Sequence, residues 1–336
     1  MMKRKRTRRA VLLLLFLAPV CGEIMSTSAP PVEFFQPVSL VFLVALYGCG
    51  ALLIREVVRR WNQGWMSIFL LGMAYGIYEE GIVVRSFFDP TWMDLGILAE
   101  YGRWLGVNWV WTLWLTIFHA LISITIPIAL VELVFPALRD ELWLGRRGMI
   151  IAVLPFLGMT AIGPLFGMKA SWLALLASAA AMGFLALLAY FAPRRAGDTS
   201  DEVKPSKPGR IMAQGFFLMT GLFLTFMALP ETGIPVLLTM ALGTSLVLFG
   251  IRRIRRSGGA AWRDLHRWAA AAGVLLPWLI IDVIAWLDNP NRPDDTSGMA
   301  LFAALAFVLL MALGWRIRRR EKKLEVERFD GVLDAA

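Results

Sequence analysis

Two glutamates, Glu79 and Glu80, stand side by side in the apolar run WMSIFLLGMAYGIYEEGIVVR, and His119 stands near the centre of the next apolar run. An ionisable side chain inside a membrane span costs about 2.5–3.5 kcal/mol on insertion scales, so each needs a partner or a task. Three chemistries suit two carboxylates and an imidazole. One glutamic acid can hold a proton while its neighbour serves as base. Glu79, Glu80 and His119 can together ligate a divalent metal such as zinc or manganese. The group can also relay protons or bind a transported cation. A satisfied structural hydrogen-bond network is the remaining reading.

Neighbouring residues point the same way. Asn108, Thr112, Thr116, His119 and Ser123 are spaced 4, 4, 3 and 4, which places them in one stripe on one helix face. Such a stripe faces protein or water rather than lipid. Gly72 and Gly76 form a small-xxx-small pattern that lets another helix approach closely, and Glu79 and Glu80 follow on that face. At 1.5 Å per residue, Glu23 reaches about the same depth as the acidic pair, roughly 20 Å from the inner face. Elsewhere, Arg55, Glu56 and Glu132 read as an interfacial ion pair at the inner ends of their spans. Asp282 reads as mainly structural, and His266 as a solvated residue of a basic loop.

The elements that must hold these residues follow from composition. Of the 336 residues, 58% are hydrophobic and 18% charged, with a mean hydropathy of +0.64. Soluble chains run at about 45–50% apolar and about 25% charged, so this is an all-α, polytopic transmembrane helix bundle with the lipid bilayer as its partner. About ten stretches have spanning length: 10–27, 37–58, 65–84, 109–135, 149–168, 171–192, 211–229, 234–251, 268–287 and 299–315. Residues 1–29 read as a retained signal anchor, and nine spans remain if they are cleaved. The net charge of +9 does not indicate nucleic acid. Of the 34 Lys/Arg, all but Arg85, Arg103, Lys169 and Arg292 fall on one set of alternating segments. That split puts both termini in the cytoplasm, and the chain is expected in the plasma membrane as a multi-pass protein. Cys21 and Cys49 lie in apolar stretches and suggest neither disulfide nor thiolate metal site.

Residues 1–192 form a six-span half with the polar cluster, 193–210 a polar linker on the cytoplasmic side, 211–316 a four-span half, and 317–336 a charged cytoplasmic tail. In the outside segment 86–108, Leu95, Leu98, Tyr101, Trp104 and Leu105 recur at helical spacing and predict a short interfacial helix.

The segment from Glu79-Glu80 to Arg85, followed by His119, resembles the CAAX-protease and bacteriocin-processing family of intramembrane proteases. That family carries Glu-Glu-xxx-Arg on one helix, Phe-xxx-His on the next and a later His-xxx-Asn-like motif. The resemblance implies that Glu79 or Glu80 activates water and that His119 helps form the oxyanion or metal site. It covers residues 79–119. Four residues rather than three separate Glu80 from Arg85 here, which a π-bulge at Gly81 would absorb. Leu115 stands in place of the phenylalanine, His119-Ala-Leu-Ile-Ser123 has the third motif's spacing, and no later span carries a second histidine. Two functions follow: a membrane-embedded, protease-like hydrolase centred on Glu79, Glu80 and His119, or a proton- or cation-coupled transporter using the same cluster. Glu23, Asn108, Thr112, Thr116, Ser123 and Arg85 would support either.

Overall fold

The computed structural model describes residues 2–193, 205–257, 262–292 and 294–333. The linker expected at 193–210 falls largely outside the described residues. Ten long helices appear among the described residues: α1 (Met2–Pro19), extended by a π turn at Val20–Ile24; α2 (Pro37–Arg60), α3 (Trp65–Val83), α4 (Trp109–Val134), α5 (Arg146–Leu165), α6 (Trp172–Phe191) and α7 (Pro208–Met227); α8 (Val236–Arg256); α9 (Asp264–Leu287); and α10 (Met299–Leu333). The last nine are long and apolar enough to cross a membrane. The first helix differs from the expected 10–27 stretch because it starts in the basic run and ends at Ile24. Its residues Ala10, Leu14, Ala18 and Cys21, spaced 4, 4 and 3, are buried in one stripe against the bundle.

α4 is the central element and is mostly buried, whereas α5 lies on the periphery and is mostly exposed. α4 meets α7 and α9 through aromatic rings. Trp114 of α4 lies 5.4 Å from Phe226 of α7, and Phe118 of α4 lies 5.2 Å from Trp278 of α9, centroid to centroid.

Four helices, α1 to α4, each contain a π-helical segment: Val20–Ile24, Val44–Gly48, Tyr78–Val83 and His119–Thr125. Prolines account for two of them. Pro19 has no N–H for the Leu15 carbonyl, and Pro127 none for the Ser123 carbonyl, so the regular ladder is broken at both places. In α4 the Thr125 hydroxyl donates to the Ala120 carbonyl at 2.6 Å and satisfies the widened turn. The segment in α3 holds the extra residue between Glu80 and Arg85.

The segment between α3 and α4 corrects the interfacial-helix expectation. It forms a 3₁₀ turn at Gly96–Ala99 and a two-stranded antiparallel ribbon, β1 (Arg103–Trp104) and β2 (Val107–Asn108). Leu105 and Gly106, with φ of 52° and 77°, close it. Positive φ at both central positions matches the right-handed strand twist, which outweighs the helical spacing of apolar residues. Leu95 and Leu98 are buried, whereas Trp104 and Leu105 are exposed. Tyr101 Oη ties this segment to the α7–α8 connection through the Ile234 carbonyl, 2.8 Å away.

At the basic end of the bundle, Arg55 is fully buried and fully bonded. It reaches Glu56 at 2.7 Å, Glu132 at 3.2 Å and the carbonyls of Leu138, Arg139 and Glu141. Its guanidinium lies 3.6 Å from the Trp143 ring centroid. Arg59 adds two bonds to Glu132 at 2.8 and 2.9 Å. His266 corrects another expectation. It is buried at the start of α9, where its Nδ1 accepts from the Arg263 N–H at 3.1 Å, because the first turn of a helix leaves donors that a nearby acceptor can cap.

Candidate functional site

Glu79, Glu80 and His119 come together in the bundle interior, with α3 supplying the carboxylates and α4 the imidazole. Gly72 and Gly76 make this meeting feasible. A Cβ on Gly72 would lie 2.8 Å from Ala120 Cα, and one on Gly76 would lie 3.1 Å from His119 Cβ. With hydrogen in place of side chains, α3 and α4 approach backbone to backbone, and the next turn of α3 presents both carboxylates to the ring.

His119 Nε2 lies 3.0 Å from Glu80 Oε1, and Nδ1 lies 3.0 Å from Ser123 Oγ and 3.3 Å from Glu79 Oε2. The second oxygen of Glu80 accepts from the Ser86 hydroxyl, which accepts in turn from Trp111 Nε1 at 3.0 Å. His119, Glu79, Glu80, Ser86 and Ser123 are all buried. Tyr47 and Tyr75 flank the imidazole at 6.0 and 5.9 Å between ring centroids. Tyr47 reaches toward both Glu23 and Glu79, so Glu23 joins the edge of the group. Tyr75 faces Glu79, yet Tyr75 Oη and Glu79 Oε2 both lack a well-formed hydrogen bond, as does Thr116 Oγ1 one turn from His119.

Other residues of the stripe serve α4 itself. Asn108 caps the helix by accepting from the Trp111 N–H at 2.9 Å, and its amide donates to the Leu98 carbonyl. Thr112 donates to the Asn108 carbonyl at 2.7 Å. Arg85 has φ of 60° just past the end of α3. Its guanidinium bonds the Met168 and Ile82 carbonyls and is turned away from the carboxylates. Asp282 is buried in α9 with neither oxygen hydrogen-bonded.

Ser86, Trp111, Tyr47 and Tyr75 were not among the sequence candidates. Tyr75 has a usable signal, since it sits four residues before Glu79 on the same helix face. Ser86 lies beyond the helix end and Tyr47 on a different helix, so their roles depend on tertiary placement.

One ligand atom each from Glu79, Glu80 and His119 lie within 4.8 Å of one another, so the three residues could hold a metal ion. Both ring nitrogens of His119 are already engaged, so such an ion would have to displace Ser123 or Glu80 from the imidazole.

A model of the Uncharacterized membrane protein family matches residues 12–327. The chain belongs to that family. The match takes in α2 to α9 entirely, so the Uncharacterized membrane protein family shares the helices that carry this cluster. Neither this match nor the relative below supports the resemblance to CAAX proteases. The chain is also similar to an uncharacterized protein of Archaeoglobus fulgidus, 25% identical over 125 residues, which is 37% of this chain. The match spans 38% of that curated relative's length. No solved structure matches the chain.

Proposed function

We propose that the chain is a membrane-embedded hydrolase whose centre is Glu79, Glu80 and His119. The observation that carries this reading is the asymmetry around the imidazole. On one side Glu80 is held through both oxygens, by His119 and by Ser86. On the other, Glu79 Oε2 and Tyr75 Oη are buried without well-formed hydrogen bonds. A purely structural network ends with its buried polar atoms satisfied, because an unmet donor or acceptor costs about 1–3 kcal/mol. Asp282 also leaves both oxygens open, so what marks this centre is that the open atoms face an imidazole tied to a second carboxylate. Here His119 acts as general base, Glu80 orients it, and Glu79 offsets the charge of the imidazolium. The motif likeness at 79–119 supports hydrolysis of an acyl bond as the class of reaction. The distribution of basic residues supports an orientation with both termini cytoplasmic, and a plasma-membrane, multi-pass setting is part of this proposal.

The test is turnover by the purified protein in nanodiscs, with quenched apolar peptides and fluorogenic lipid esters as probes. Hydrolysis that is lost in His119→Ala and Glu80→Gln, with melting near that of wild type, upholds the reading. Absence of hydrolysis, together with proton-coupled uptake in proteoliposomes that Glu80→Gln removes, replaces it with a cation-coupled carrier.

A further inference from the structure

We propose that Ser123 is the nucleophile of this centre. The proposal rests on the hydrolase reading and names its mechanism. Ser123, His119 and Glu80 form a continuous line, with Oγ 3.0 Å from Nδ1 and Nε2 3.0 Å from Oε1. The order nucleophile, base, orienting carboxylate is that of a serine triad with the ring nitrogens exchanged, Nδ1 facing the hydroxyl and Nε2 the carboxylate.

The direction of each hydrogen bond follows from the far end of the line. The indole Nε1–H of Trp111 can only donate, so Ser86 Oγ accepts from it and gives its own proton to Glu80 Oε2. With Glu80 ionised, Oε1 accepts as well, and the ring proton then sits on Nε2. The Nδ1 lone pair is left facing the Ser123 hydroxyl. Glu79 Oε2, at 3.3 Å from Nδ1, has no well-formed bond, as expected for a carboxylate facing a lone pair. The same oxygen is positioned to stabilise Nδ1–H⁺ once the proton arrives.

Gly22 lets the first helix pack directly over Ser123. A Cβ there would lie 3.0 Å from Ser123 Oγ and 2.5 Å from the Tyr47 ring.

The reaction proceeds in two balanced halves. Ser123 Oγ bonds to the carbonyl carbon of an ester or amide while its proton passes to His119 Nδ1. The bond to the leaving oxygen or nitrogen then breaks as the imidazolium returns the proton to it. Water cleaves the resulting acyl-ester by the reverse transfers, which frees the acid and restores the serine hydroxyl.

Diisopropyl fluorophosphate, small and apolar enough to reach a buried serine, tests the proposal on the full chain in nanodiscs. The expected result is one phosphoryl adduct, located on Ser123 by peptide mass spectrometry. It should be absent from Ser123→Ala and His119→Ala and form about 10²-fold more slowly in Glu80→Gln. No adduct on Ser123 in the wild-type protein, or an adduct whose rate is unchanged by His119→Ala, overturns it. Hydrolysis that persists in a folded Ser123→Ala overturns the nucleophile while leaving the hydrolase reading intact. Hydrolysis absent from wild type as well removes both.

Discussion

Gly72 of α3 and Ala120 of α4 touch backbone to backbone, with 2.8 Å between the position a Gly72 Cβ would take and Ala120 Cα. One turn further along α3, the same approach sets Gly76 against His119. The distance from Glu80 to the imidazole therefore depends on two missing side chains. Gly72→Val should push the helices apart and cost about 1–3 kcal/mol, the usual range for overpacking. Thermal unfolding in detergent measures the loss. Melting equal to that of wild type would show that the glycine contact does not set the helix spacing.

Arg55 offers a second test, at the basic end. It is fully buried, with Glu56 and Glu132 as partners and three backbone carbonyls completing its bonds. Removing one partner of a buried ion pair strands the other charge, at a cost of about 3–5 kcal/mol. Arg55→Ala should therefore be among the most destabilising substitutions in the chain. Arg60, whose side chain is 38% exposed and 3.9 Å from Glu56, is worth at most about 1 kcal/mol of ion-pair stabilisation. Comparative unfolding of the two variants decides it, and similar losses would argue against the buried network.

Much of this architecture is legible in the residues, and the limits have physical causes. The apolar runs give the long helices because a membrane demands internally bonded backbone over a fixed length. The stripe ending in His119 and Ser123, and the glycines before Glu79, signal which faces meet, because helical periodicity fixes direction. The one-residue excess before Arg85 signals a π-bulge, and the α3 segment Tyr78–Val83 is π-helical. The ribbon at 103–108 is missed because apolar spacing alone does not register the turn at Leu105-Gly106. Ser86 and Tyr47 are missed because no periodicity connects them to Glu80 or Glu79. By sequence position Arg85 belongs with the acids, but the positive φ past the helix end turns it toward Met168.

Orientation can be tested independently of chemistry. All but four of the 34 Lys/Arg lie on one set of alternating segments. A reporter fused after Ser257 should therefore read as cytoplasmic, and one inserted within 290–297 as external. The reverse result at either point would overturn the assignment of sides and move the site toward the opposite leaflet.

Zinc should compete with the serine chemistry rather than support it. Glu79, Glu80 and His119 offer ligand atoms within 4.8 Å of one another, and imidazole with carboxylates is a donor set that zinc favours. Both imidazole nitrogens are committed, Nδ1 to Ser123 and Nε2 to Glu80. An ion that binds His119 must take one of them. If it takes Nδ1, it removes the base from the Ser123 hydroxyl; if it takes Nε2, it removes the carboxylate that orients the ring. Either way, added zinc should slow phosphoryl labelling of Ser123, chelation should restore it, and His119→Ala should abolish the competing zinc binding seen by calorimetry. Labelling or hydrolysis that is lost on chelation and regained with zinc would instead make the metal a working part of the centre, and Ser123 a residue that only positions the imidazole.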